Sequence, residues 1–154
     1  MTDEETKETS EAHCLPIWRQ AEIAKKVCGI FMGTLQNGSE NVLQCAMESL
    51  GIIPIPYSEI SKKMEDIGQV LGEYGFIFPP VNGIRMFFFN QKQGCLELRK
   101  TSWHEVGHVE LGHRQGSRLA EAEADFFMEC AMLLEANIEK LKEVMPMICE
   151  TKSA

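Results

Sequence analysis

The chain has 154 residues, of which 44% are apolar and 25% charged, a balance typical of one globular domain rather than of a disordered chain. Its formal charge of −8 and its pI near 5.0 give a surface that repels a phosphate backbone, so we expect no direct binding to nucleic acid. No apolar run reaches the roughly 18 residues of a membrane-spanning helix, and the acidic start of the chain lacks the apolar core of a secretory signal, so we expect a cytoplasmic protein with no membrane partner.

The six cysteines are spread along the chain without a CxxC pair. This spacing disfavours a four-cysteine metal site and a thioredoxin-type redox pair. Cys28, Cys45 and Cys130 lie among apolar residues in stretches with helical spacing, where a reduced cysteine behaves as a small hydrophobic side chain. We therefore expect buried free thiols rather than a disulfide framework.

The polar residues 1–12 predict a solvated acidic tail, and residues 13–150 predict a single domain that begins with two helices. The first helix is expected from about Leu15 to Leu35. Its predicted buried face consists of Ile17, Ala21, Ala24, Cys28 and Phe31. Asn37-Gly38-Ser39 ends this helix, and Ser39 is the candidate N-cap of the second one.

The middle of the chain changes from helical to extended character. Ile52-Ile53-Pro54-Ile55-Pro56 is forced into an extended conformation, because proline disfavours helix in the residue before it. A third helix is predicted from Ser58 to Leu71. Two stretches rich in β-forming residues follow, 76–78 and 84–89, and the turn residues between them predict a β-hairpin.

The last part of the chain is helical again. We predict one helix from about Glu97 to Gly112, another from Ser117 to about Asn137, and a final amphipathic stretch from Ile138 to Met145. The predicted fold class is therefore α+β, a mainly helical single domain with a small β-sheet.

The helix predicted at 97–112 carries the segment His104-Glu105-Val106-Gly107-His108. Residues four apart lie about one turn above each other on a helix, so His104 and His108 project from the same face and can hold one zinc ion. Glu105 lies beside them, where its carboxylate can accept a proton from the attacking water. This HExxH spacing predicts a zincin-like active-site helix with two histidine ligands and a glutamate as general base.

A catalytic zinc ion needs a third protein ligand. The metzincin pattern HExxHxxGxxH would place a histidine at residue 114, but that residue is Arg114, and Gly112 and His113 each miss the pattern by one position. His113 is therefore expected at the surface or beside a ligand rather than on the metal.

A carboxylate of the next helix is the other source of a third ligand. Glu121 and Asp125 are one helical turn apart, so one could bind zinc while the other orients a ligand histidine. Helical periodicity instead places Glu123 on the apolar stripe, where a carboxylate needs a partner. The residues alone leave Glu121 and Glu123 open as the third ligand.

Two segments resemble the ImmA/IrrE-type metallopeptidases, within a similarity that covers roughly residues 40–134. The family's Arg-x-Thr-x-x-HExGH motif is similar to Arg99-Lys100-Thr101-Ser102-Trp103-His104-Glu105-Val106-Gly107-His108. Its E-x-x-A-(N/D)-x-F motif is similar to Glu121-Ala122-Glu123-Ala124-Asp125-Phe126-Phe127. The resemblance implies a zinc metalloendopeptidase in which Glu121 is the third ligand, beside His104 and His108, and Glu105 is the general base.

Members of this family typically cleave a helix-turn-helix repressor of a phage, a mobile element or a stress regulon, so the resemblance implies a DNA-binding repressor as the protein substrate. The alternative is a protease-like binding module that sequesters a repressor or antitoxin without cutting it. A purely structural zinc site, which would have four protein ligands, is a third hypothesis. Chemistry alone leaves five candidates for the group that stabilises the oxyanion: Tyr57, Tyr74, His113, Arg114 and Arg118.

Overall fold

The computed structural model describes residues 15–60, 72–114 and 116–144. The tail predicted at 1–12 and most of the helix predicted at 58–71 lie outside these residues. The elements are α1 (Ile17–Gln36), α2 (Val42–Ser49), β1 (Ile52–Pro56), α3 (Tyr57–Ile60), β2 (Gly75–Ile77), β3 (Arg85–Phe89), α4 (Cys95–Glu110) and α5 (Arg118–Ala136). Residues 138–144 are also helical. The predicted fold class, a mainly helical α+β domain with a small sheet, is confirmed.

The sheet has three strands in the order β1-β3-β2. β2 and β3 pair antiparallel, which confirms the predicted hairpin, and its turn contains Asn82 and Gly83 at positive φ angles of 53° and 78°. β1 pairs parallel with β3, a contact that the sequence did not predict. Pro54 and Pro56 have no N–H to donate, which is consistent with the position of β1 at an edge of the sheet.

Helix α1 buries a face that shares only Phe31 with the predicted one. Ile23, Val27 and Phe31 are fully buried, whereas Ile17 is 84% exposed and Cys28 is also exposed. The prediction was wrong because α1 has apolar residues on adjacent faces, and the face with the larger side chains removes more apolar area from water. The N-cap of α2 also differs from the prediction, since the Asn41 side chain, not Ser39, accepts the capping hydrogen bond.

The core lies between α1, α4, α5 and one face of the sheet. Its largest fully buried side chains include Phe31, Phe87, Trp103 and Phe127. The Trp103 ring stacks on Phe31 at a centroid distance of 5.5 Å and lies 6.5 Å from the ring of Phe127. Trp103 therefore anchors α4 against both α1 and α5.

Four cysteines within the described residues are free thiols: Cys28, Cys45, Cys95 and Cys130. The burial predicted for Cys28 is wrong, because it lies on the solvent side of α1. Cys45 and Cys130 are half-buried, and burial raises the pKa of the Cys130 thiol. Within the same part of the chain, we find no helix with the length and apolar character that crossing a bilayer requires.

Candidate metal centre

Two antiparallel helices, α4 and α5, carry the residues of the site. The predicted start of α5 is confirmed: the hydroxyl of Ser117 accepts a hydrogen bond from the Ala120 N–H at 3.0 Å. Arg99 near the start of α4 forms a two-point ion pair with Glu135 near the end of α5. The two helices are thus aligned so that the first turns of α5 lie beside the HExxH segment.

Gly107 permits a close approach between the two helices. A Cβ atom added at Gly107 would lie 3.0 Å from both Cβ and Cγ of Phe127. Favourable carbon–carbon contacts are at about 3.5–4.0 Å, so a larger residue does not fit without moving α5. This approach occurs one residue before His108, and it holds the acidic first turns of α5 against the histidines of α4.

Three side chains from α4 and α5 meet at one point. The Nε2 atoms of His104 and His108 are 3.0 Å apart. The carboxylate of Glu121 spans both rings, with Oε2 2.9 Å from His104 Nε2 and Oε1 3.2 Å from His108 Nε2. A tetrahedral zinc ion with bonds of 2.0–2.1 Å sets its ligand atoms about 3.3 Å apart. The three side chains could therefore hold one metal ion, and their spacing is compatible with zinc.

The two carboxylate neighbours of the His104 ring are also compatible with a cation at this point. Its Nδ1 lies 2.8 Å from Asp125 Oδ1, and its Nε2 lies 2.9 Å from Glu121 Oε2. A neutral imidazole has one N–H, so it can donate to only one of these carboxylates and turns a lone pair towards the other. A cation between Nε2 and Glu121 removes this conflict, while Nδ1–H donates to Asp125. Ligand histidines commonly donate to a carboxylate in this way.

The electrostatics of Glu105 and His108 suit a catalytic metal site. Burial raises the pKa of Glu105 to about 7, with His104 opposing the shift and Glu121 adding to it. A carboxylate with a pKa in that range can take up and release a proton at neutral pH. Burial and the neighbouring His104 lower the pKa of His108, which favours the neutral imidazole that metals bind.

The site opens onto a cleft of about 520 Å³, a volume typical of ligand-binding pockets. His104, Glu105 and Glu121 line it, together with residues that include Tyr74 and Lys100. Sequence reasoning missed Lys100. Its position one helical turn before His104 is a signal that could have identified it.

Of the five oxyanion candidates, Tyr74 alone lies among the described residues that line this cleft. The hydroxyl of Tyr57 donates to a backbone carbonyl at 2.9 Å. Arg114 and Arg118 are exposed, and His113 contacts the ring of His108, with the two Nδ1 atoms 2.9 Å apart. His113 thus lies beside a predicted ligand, as the sequence indicated.

Glu123 does not join the two histidines of the HExxH segment. It is buried, as the periodicity of α5 predicted, and its Oε2 accepts a hydrogen bond from Arg19 Nε at 2.5 Å. The partner that this buried carboxylate needs is therefore a guanidinium of α1. The structure brings Glu121 to the histidines instead. Arg19 was not predicted, because no local pattern connects it to α5.

Three side chains that could hold a metal ion thus meet at one point, and the carboxylate of Glu105 lines the same cleft. Its donors come from two helices whose packing is specified by Gly107 and by the Arg99–Glu135 pair. Comparison of the chain with protein-family models, curated proteins and solved structures found no match.

Proposed function

We propose that this chain is a zinc-dependent endopeptidase with His104, His108 and Glu121 as metal ligands and Glu105 as general base. The observation that carries the proposal is the meeting of three donors at 2.9–3.2 Å beside a cleft that Glu105 also lines. The resemblance of the two motifs to ImmA/IrrE-type metallopeptidases supports the same assignment.

Peptide hydrolysis adds water across the scissile C–N bond. A bound zinc ion polarises the scissile carbonyl and lowers the pKa of a water molecule to about 7. Glu105 takes a proton from the attacking water and transfers it to the leaving amine, roles that suit its pKa of about 7. Asp125 holds the His104 ring through Nδ1. Tyr74, at the wall of the cleft, is the residue we assign to donating a hydrogen bond to the oxyanion.

A DNA-binding repressor of the helix-turn-helix class is the proposed substrate. Such repressors present a basic surface to their operator, and a chain with a formal charge of −8 attracts basic partners over long range. The family resemblance supports the same class of substrate. Cleavage rather than capture is proposed because a base and an open coordination position share one cleft.

The experiment compares Glu105→Gln with Glu110→Gln, a glutamate on the same helix that is not among the residues lining the cleft. Each protein is assayed for bound zinc and for cleavage of the helix-turn-helix repressor encoded nearest to its own gene. We expect Glu105→Gln to retain zinc and lose cleavage, and Glu110→Gln to retain both. A Glu105→Gln protein that still cuts would remove the proposed mechanism. A stable complex of the zinc-loaded protein with intact repressor would favour the binding module.

A further inference from the structure

Four polar side chains form a chain behind the metal centre, from α4 to α1; we call it the polar chain. It runs from His108 through His113 and Glu123 to Arg19. The Nδ1 atoms of His108 and His113 are 2.9 Å apart, His113 Nε2 is 3.5 Å from Glu123 Oε1, and Arg19 Nε donates to Glu123 Oε2 at 2.5 Å. None of the last three residues is a metal donor.

The end of α4 places His113 under the ring of His108. Gly112 has a φ of 70°, the left-handed conformation that glycine adopts readily. The N–H of Gly112 donates to the Val109 carbonyl, and the N–H of His113 donates to the His108 carbonyl at 3.0 Å. These two bonds form a Schellman motif, which reverses the chain at a helix end. His113 is therefore held by backbone geometry close to the residue that its side chain contacts.

The direction of the hydrogen bonds follows from the metal. With Nε2 of His108 on zinc, its one N–H is at Nδ1, and the acceptor at 2.9 Å is Nδ1 of His113. A neutral His113 then carries its proton on Nε2, the nitrogen nearer to Glu123. Among the described residues, this buried Nε2 has no hydrogen-bond partner, and it lies 3.5 Å from the Glu123 carboxylate. At 3.5 Å this contact is not a hydrogen bond, but a carboxylate only accepts, so an N–H at Nε2 of His113 is directed towards a favourable charge.

We propose that His113 is the positioning residue of His108, which it orients on the metal, and that the Glu123–Arg19 pair holds His113 in turn. The inference rests on the proposed zinc site. It gives a role to Glu123, a buried carboxylate on an otherwise apolar stripe of α5. It also makes α1 a part of the metal centre, although α1 contributes no donor.

Zinc affinity measured by competition with a chromophoric chelator tests this role. His113→Leu keeps the bulk and removes the acceptor, whereas His113→Asn keeps an acceptor near the position of Nδ1. We expect zinc affinity to fall about 10–100-fold in His113→Leu, as is usual when the partner of a ligand histidine is removed. His113→Asn should restore most of the loss, and Glu123→Gln should show a smaller loss than His113→Leu.

Glu40→Gln is the matched control, because it breaks the ion pair of Glu40 with Lys142, which also joins distant parts of the chain but lies outside the polar chain and the metal centre. Thermal unfolding of the metal-free proteins reports any loss of stability, and the visible spectrum of the cobalt(II) forms reports the geometry of the ligands. We expect Glu40→Gln to leave zinc affinity unchanged, and the cobalt spectrum to change in His113→Leu but not in His113→Asn.

The outcomes separate the two proposals. Failure of the unchanged protein to bind zinc would overturn the proposed function and this inference together. Tight binding by the unchanged protein and equally tight binding by His113→Leu would overturn the positioning role alone. Equal losses in His113→Leu and His113→Asn would also overturn it, because a packing role does not distinguish an acceptor from a methyl group.

Discussion

The close approach at Gly107 predicts that one added methyl group damages the metal centre more than the fold. In Gly107→Ala the new Cβ would lie 3.0 Å from Cβ and Cγ of Phe127 and 3.1 Å from its Cδ1. Such a contact is closer than ordinary carbon contacts of about 3.5–4.0 Å, so Phe127 and the backbone of α5 must move by a few tenths of an ångström. Phe127 is fully buried and its Cβ belongs to the helix, so a ring rotation does not remove the overlap.

The expected cost to the fold is small. Overpacking of this kind lowers the free energy of unfolding by about 1–3 kcal/mol. Alanine in a helix interior recovers about 0.8–1 kcal/mol relative to glycine. The net destabilisation is therefore about 0–2 kcal/mol. Metal–ligand distances tolerate only about 0.2 Å, so a shift of a few tenths of an ångström in α5 is enough to weaken the contact of Glu121 with the two histidines.

The assay compares zinc affinity, by chelator competition, with urea unfolding of the metal-free protein. We expect Gly107→Ala to lose at least about tenfold in zinc affinity, or about 1.4 kcal/mol. Gly29→Ala on α1 is the control, since a Cβ there has no atom within 4 Å. It should gain up to about 1 kcal/mol of stability and leave zinc affinity unchanged. A Gly107→Ala protein with unchanged affinity and increased stability would refute the close helix approach.

Three further predictions follow from the site. Asp125→Ala should weaken zinc affinity about 10–100-fold, because the hydrogen bond to His104 Nδ1 is lost. The stability of the metal-free protein should change little, because Asp125 is exposed. Unchanged zinc affinity would contradict the orienting role of Asp125. Tyr74→Phe should lower kcat by roughly 10²–10³-fold while KM and bound zinc are unchanged, and a kcat equal to that of the parent would remove Tyr74 as oxyanion donor. Zinc at 100 times its Kd should add about 2.7 kcal/mol to the free energy of unfolding, and a chelator should reverse this gain. If zinc stabilised the His104→Ala protein to the same extent, zinc would bind elsewhere.

Elements specified by neighbouring residues were predicted from the sequence. Helix α5 begins after Ser117 because a serine cap precedes an apolar helical repeat, and both signals lie within a few residues of each other. The hairpin of β2 and β3 depends on a turn with Asn82 and Gly83, which is equally local. The parallel pairing of β1 with β3 was missed because it joins strands that are distant along the chain. Neighbouring residues determine that a segment is extended, but they do not determine which strand it pairs with.

Local sequence patterns could not decide which of Glu121 and Glu123 meets the histidines. Glu121 and Glu123 are two positions apart, and such positions on a helix are separated by about 200° around its axis. The two carboxylates therefore lie on different sides of α5. Periodicity detected that Glu123 is buried and needs a partner, but Arg19 lies 104 positions away in the sequence and no spacing rule reaches it. Which side of α5 meets the histidines depends on how the helix packs between α4 and α1. Gly107 permits part of that packing, because it has no side chain to keep the two helices apart. The carboxylate that meets the histidines is therefore decided by tertiary contacts and not by the acidic motif.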